Sequence, residues 1–163
     1  MLIKIAMDIT IRNTTELEKA FEIAESLPEY FNEQGLKEIK EKLSAQDVFG
    51  AYFGDELVGF ASYRKLNDET MELAWLAVSS KYQGQGIGRK LVEESLAIES
   101  KGFSVCQVKT LAETVPDEGY AKTRDFYKKL GFIPIEIIDH YPGWGSENPC
   151  QILVKFIKNR KDL

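Results

Sequence analysis

Histidine is nearly missing from this chain: His140 is the only one. No other candidate ligand stands near it at metal-ligand spacing, so no metal centre is expected. Cysteine is scarce too. Cys106 and Cys150 both sit in apolar, strand-like runs, where buried free thiols are expected rather than a disulfide or a nucleophile. No run of about 18 apolar residues exists, which argues against a membrane helix. The opening Met1-Leu2-Ile3-Lys4-Ile5 is too short and too mixed for a secretory core, so a cytoplasmic protein is expected. Positive charge is outnumbered, 21 Lys and Arg against 26 Asp and Glu, for a net charge of -5. That balance opposes binding to nucleic acid or anionic lipid and suits a cationic partner. The late cluster Lys155, Lys158, Arg160 and Lys161 is read as a solvated tail. Internal repeats, linkers and low-complexity tracts are absent.

What is present fits one compact α/β domain over residues 1–163, with 44% hydrophobic residues to fill its core. Alternation predicts a first strand over Ile3 to Ile11. Asn13-Thr14-Thr15 then offers an N-cap for a helix running to Leu27, and Pro28 ends it. A second helix, Glu33 to Leu43, carries Leu36, Ile39 and Leu43 on one stripe, with Lys40 snorkelling at its edge. Three strands follow, Val48–Phe53, Leu57–Tyr63 and Thr70–Val78, divided by turns at Gly54-Asp55-Glu56 and Asn67-Asp68. The period changes after Val78. Ile87, Leu91, Val92, Leu96 and Ile98 recur at helical spacing over Gly86 to Ile98, and Lys101-Gly102 closes that helix. A strand over Phe103–Leu111, a helix over Tyr120–Leu130 stopped by Gly131, and strands over Ile133–Ile138 and Gln151–Ile157 complete the chain. The segment Asp139 to Pro149 is too long for a tight hairpin and is a candidate binding loop.

The junction between the third of those strands and the central helix reads Val78-Ser79-Ser80-Lys81-Tyr82-Gln83-Gly84-Gln85-Gly86-Ile87-Gly88-Arg89. A helix entrance presents unpaired N–H groups and the positive end of the helix dipole, so an anion is expected there. Glycines let a phosphate approach the backbone and permit dihedrals that other residues resist. A dinucleotide fingerprint would need glycine at 89 or 91, where Arg89 and Leu91 stand, and no P-loop pattern occurs.

What does occur is Gln83-x-x-Gly86-x-Gly88, and later Phe126-Tyr127-Lys128-Lys129-Leu130-Gly131-Phe132. On these two motifs, in this order, the chain resembles the GNAT superfamily of acetyl-CoA-dependent N-acetyltransferases. The resemblance implies a mixed, mostly antiparallel central sheet of six to seven strands flanked by about four helices. It implies that Gln83, Gly84, Gln85, Gly86, Ile87, Gly88 and Arg89 hold the pyrophosphate of coenzyme A. It further implies that the backbone of Leu76, Ala77 and Val78 serves the pantetheine amides and the thioester oxygen. Tyr120 stands where many members carry a cofactor-binding asparagine, which puts that contact in doubt, and Arg124 receives no role.

Acetyl transfer to an amine needs a neutral nucleophile, and alkyl ammonium groups hold their proton to a pKa of roughly 10. A base is therefore required. Glu72, on Glu72-Leu73-Ala74-Trp75-Leu76-Ala77-Val78, resembles the base glutamate of the histone-acetylating members; the bland alternative is a solvent-facing glutamate near a strand end. Tyr127 occupies the family's general-acid position, the alternative being a packing aromatic. A small-molecule or peptide amine is the implied acceptor. The regions that flank the family's acceptor cleft hold Glu29, Tyr30, Phe31 and Glu33 on one side and Asp139, His140, Tyr141, Trp144 and Glu147 on the other. Dimers are common in the family, so a homodimer is compatible with the resemblance. A non-catalytic acyl-CoA-binding module on the same fold is the competing reading.

Overall fold

The computed structural model describes residues 8–157. Its strands are β1 (Ile9–Asn13), β2 (Asp47–Phe53), β3 (Glu56–Lys65), β4 (Thr70–Val78), β5 (Val105–Leu111), β6 (Ile133–Ile138) and β7 (Cys150–Phe156). Its helices are α1 (Leu17–Glu25), α2 (Glu33–Lys42), α3 (Ile87–Glu99) and α4 (Glu118–Lys129). The strands order β1-β2-β3-β4-β5-β7-β6. The pairs β1–β2, β5–β7 and β6–β7 are antiparallel, and β4–β5 is parallel. This is the mixed sheet with four helices that the resemblance implies.

The chain forms two compact units, with β3 and β4 divided between them. The first takes in residues up to Ser62 and Trp75–Leu96. Ala20, Ile23 and Ala24, spaced for one helical stripe, bury α1 against Leu27, Ile39, Val48, Tyr52 and Phe60. Asn32 caps α2, its Oδ1 accepting from Gly35 N at 2.8 Å. Lys40 Nζ lies 5.2 Å from the Phe21 ring centroid, the snorkelling expected of it.

The start of α1 differs from the sequence reading. The cap residue is Glu16, without a side-chain cap bond, because Thr14 Oγ1 is turned to accept from Glu16 N in the preceding turn. Thr14 also shares a 2.6 Å hydrogen bond with Tyr52 Oη. The helix stops at Glu25, ahead of Pro28. The predicted first strand falls partly on residues 1–7, outside the described residues; within them β1 begins at Ile9.

Gly59 sets a close approach in this unit: a Cβ there would lie 2.9 Å from Ala77 O on β4. Backbone cannot step aside as a side chain can. Gly59→Ala is expected to cost about 1–3 kcal/mol through overpacking, read as a lower denaturant midpoint at unchanged m-value.

The second unit comprises Tyr63–Ala74 and the chain from Ala97 onward. Asp117 caps α4, accepting from Tyr120 N at 3.0 Å; the helix therefore starts at Glu118, two residues before the predicted Tyr120. Gly131, at φ 93°, closes it in the left-handed conformation. Lys155 is not part of a solvated tail. It sits on β7 and donates to Leu130 O at 2.6 Å, at the C-terminal end of α4. Lys158, Arg160 and Lys161 lie outside the described residues.

Cys106 and Cys150 are buried free thiols. Burial pushes Cys106 from 9.0 up to about 12. A raised acid keeps its proton longer in the folded than in the unfolded chain, so its contribution is complete below the unfolded value and lost as pH rises through the folded one. Stability should therefore hold below pH 9 and fall toward pH 12, by about 1.4 kcal/mol per pH unit from this group. Urea melts of Cys106→Ala, compared with wild type across that window, check its share.

Candidate functional site

In the first unit β4 ends at Val78 and the chain makes a single tight turn, Ser80–Tyr82, before α3. Three bonds brace the junction. Ser79 N donates to Val58 O at 2.8 Å, Tyr82 Oη donates to Glu56 Oε2 at 2.8 Å, and Gln83 Nε2 returns to Val78 O at 2.9 Å. Tyr82 is buried, and its ring leans on Phe53 at 6.2 Å. Gln83 thus spends its amide on folding the loop.

Beyond it Gly84 and Gly86 take φ of 75° and 79°. No L-residue enters that region cheaply. A Cβ at either glycine would meet nothing within 4 Å, so the space in front of both is open. Gly86 O accepts from Lys90 N at 3.1 Å, which makes Gly86 the cap position of α3, with no side chain to cover the first-turn amides. The first turn of α3 carries no acidic residue. Ile87 is buried and anchors the helix start, whereas Gln83, Gly84, Gln85, Gly86 and Arg89 are exposed. Arg89 pairs with Glu93 along the helix, Nε to Oε1 at 2.9 Å. The entrance therefore offers main-chain donors, a positive dipole end and room, the three requirements for an anion. The β4–β5 ladder runs from Thr70↔Val105 to Glu72↔Gln107, so Leu76, Ala77 and Val78 lie beyond it.

In the second unit Glu72 is far from solvent-facing: its side chain is 2% exposed. Arg64 Nε donates to its Oε2. Gln107 Nε2 at 3.2 Å and Lys109 Nζ at 3.0 Å reach its Oε1. The buried carboxylate is therefore paired, as a charge removed from water must be. Lys109 continues to Tyr141 Oη at 2.9 Å. Burial works against the Lys109 charge, but the bond to Tyr141 and the Glu72 carboxylate outweigh it and hold the ammonium above the ordinary lysine value. The sequence reading singles out neither Arg64, Gln107 nor Lys109. Two of them leave a trace: Gln107 and Lys109 place long polar side chains two apart on β5, hence on one face.

Tyr127 is buried on α4, edge-on to Phe126 at 5.2 Å and to Phe132 at 5.5 Å. Burial pushes its phenol well above the ordinary tyrosine value. It keeps its proton throughout the physiological range, and donation to a thiolate is steeper uphill than the sequence alone suggests. Tyr120 stands in the first turn of α4, seven residues before Tyr127. Arg124, unassigned from sequence, is structural: buried, it donates from Nη1 to Leu111 O at 2.7 Å and ties α4 to the end of β5.

The acceptor-side residues serve different ends. Tyr30 and Phe31 pack against the first unit's core, and Glu33 occupies the first turn of α2. In the second unit Asp139 accepts from His140 N at 3.0 Å, and Glu147 is exposed. Tyr141 and Trp144 meet edge-on at 5.3 Å.

Over 90 residues the chain is 34% identical to a mycothiol acetyltransferase of Corynebacterium efficiens, covering 55% of this chain and 29% of that protein. It thus spans under a third of that relative's length. Among solved structures, the ribosomal-protein-S18-alanine N-acetyltransferase of Escherichia coli superposes with a TM-score of 0.73 at 23% identity, covering 96% of this chain and 99% of that one. A GNAT family acetyltransferase of Elizabethkingia anophelis, with acetyl-CoA bound, superposes at 0.71 and 20% identity, covering 91% and 98%. Among the described residues no helix is long and apolar enough to cross a membrane. A family profile described as the acetyltransferase (GNAT) domain matches residues 44–134, more than half of the chain, from the end of α2 through the glycine junction to β6: the chain belongs to the GNAT acetyltransferase family.

Proposed function

We propose that this chain is an N-acetyltransferase, a single domain that moves an acetyl group from acetyl-CoA to a primary amine by direct attack in a ternary complex. One observation carries the reading: an uncapped helix entrance with Gly84 and Gly86 in the left-handed region and open space before both. A diphosphate fits that entrance, and the family is one of acetyltransferases. Acetyl-CoA supplies the activated thioester. The first-turn amides from Ile87 to Arg89, with Gly84 and Gly86, hold its pyrophosphate, and the main chain of Leu76 to Val78 orients its pantetheine arm.

Glu72 is the base. A carboxylate has about four acceptor sites and three donors already occupy Glu72, so the amine proton reaches it through a water at the remaining site. Tyr127 holds the proton that the leaving thiol requires, and burial keeps that proton in place. The setting is cytoplasmic, and the acceptor is a small-molecule or peptide amine. The relatives divide on it, one named for mycothiol and another for a ribosomal-protein alanine.

The three donors on Glu72 and the burial of Tyr127 also suit a module that binds acyl-CoA without turnover. Two measurements separate the readings. Acetyl-CoA at a hundred times its Kd should stabilise the chain by about 2.7 kcal/mol, and an amine panel should release free thiol. Stabilisation without thiol release would favour the binding module; no stabilisation would reject both.

A further inference from the structure

Lys109 pairs with Glu72, the base of the proposed reaction, and its onward bond to Tyr141 has no part in the chemistry above. Glu72 belongs to β4, Lys109 to β5 and Tyr141 to the loop between β6 and β7. The Lys109 side chain is only 17% exposed. Its ammonium sits between the Glu72 carboxylate at 3.0 Å and the Tyr141 hydroxyl at 2.9 Å, 4.9 Å from the Tyr141 ring centroid. A nearly buried cation keeps its charge only where it is paired, and both partners here come from other elements.

The loop itself is built from local turns. His140, Gly143 and Gly145 have φ of 57°, 86° and 79°. Trp144 N donates to Tyr141 O at 3.1 Å, and Asn148 Nδ2 donates to Trp144 O at 2.8 Å. These bonds shape the loop without joining it to the sheet. Tyr141–Lys109 does join it, and the Trp144 ring rests edge-on against the tyrosine so held.

We propose that Lys109 is a positioning residue: anchored by Glu72, it fixes the Tyr141 hydroxyl and so sets the Tyr141–Trp144 pair as one wall of the amine-acceptor subsite. The proposal rests on the transferase reading above and deepens it. It points to an acceptor whose amine is attached to an apolar or flat body, because an aromatic wall contributes contact area rather than charge.

The chain has two tryptophans, Trp75 and Trp144, so a Trp75→Phe background leaves Trp144 as the sole reporter of the loop. In that background Lys109→Met should raise acrylamide quenching of Trp144 emission about twofold, and Lys109→Arg should restore much of the protection. Tyr141→Phe keeps the ion pair with Glu72 and removes only the hydroxyl, so it tests the tie even if Lys109→Met folds poorly; it should shift quenching the same way.

Kinetics are read on 2-phenylethylamine, spermidine and an alanine-initiated peptide, using whichever the wild type acetylates best. For Tyr141→Phe, which leaves the Lys109–Glu72 pair in place, the amine KM should rise about tenfold, with kcat within about threefold and the acetyl-CoA KM unchanged; Lys109→Met also unpairs the base and is read by quenching alone. Unchanged quenching in both variants, or a fall in kcat at constant amine KM in Tyr141→Phe, would overturn the proposal. Should the wild type release no thiol with any of the three, the wall assignment falls together with the transferase reading, whereas quenching still decides whether Lys109 holds the loop.

Discussion

Gly86→Glu is expected to abolish acetyl-CoA binding, with a loss of at least about a hundredfold in affinity. Two effects act together. Gly86 has φ 79°, where an L-residue costs about 1–2 kcal/mol. That strain alone would only weaken the entrance. The larger effect is electrostatic: a carboxylate at the cap position accepts the first-turn amides itself and repels an incoming diphosphate. Because a Cβ at Gly86 meets nothing within 4 Å, the chain should still fold, and the loss belongs to the ligand. Gly54 supplies a matched control in the same unit, with φ 61° and equally open space. Gly54→Ala should reduce stability by a comparable strain and leave cofactor affinity intact. Isothermal titration of both variants decides the matter; unaltered affinity in Gly86→Glu would reject the loop as the pyrophosphate site.

Tyr127→Phe should lower kcat by about 10²-fold, the lower end of what a positioned proton donor contributes, while acetyl-CoA affinity changes little. The substitution removes one hydroxyl and keeps the ring that packs edge-on to Phe126 and Phe132. Stability should therefore move little, which separates the acid role from a packing role. The pH profile adds a second check. Burial raises the Tyr127 phenol above its ordinary value, so kcat should show no alkaline fall from this group until pH exceeds about 10, the unperturbed tyrosine value. Tenfold weaker cofactor binding with normal kcat would rule out the acid assignment.

The elements were legible because their signals are local. Helical spacing marked α3, glycine marked the stops at Gly102 and Gly131, and both take the left-handed φ that such stops use. The sequence misleads where a side chain has a second partner far along the chain. Residue type offers a cap in Asn13-Thr14-Thr15, but the cap position falls on Glu16 and Thr14 bonds Glu16 N and Tyr52 Oη instead. The second option, Tyr52, lies 38 residues away and sends no sign along the chain.

By itself, then, the order of residues determined the strand and helix plan, the glycine entrance and the family motifs, because dihedral preference, amphipathic period and capping act over a few neighbouring residues. Only the tertiary structure decided what surrounds the reactive groups. Glu72 is a buried, three-donor carboxylate because register sets it beside Gln107 and brings Arg64 and Lys109 within reach. Tyr127 is a raised phenol because the fold buries it, with the rings of Phe126 and Phe132 edge-on against it. Arg124 turned out to hold a carbonyl on β5, and Lys155 one at the end of α4. Burial and pairing are properties of space, and residues distant in the chain create them.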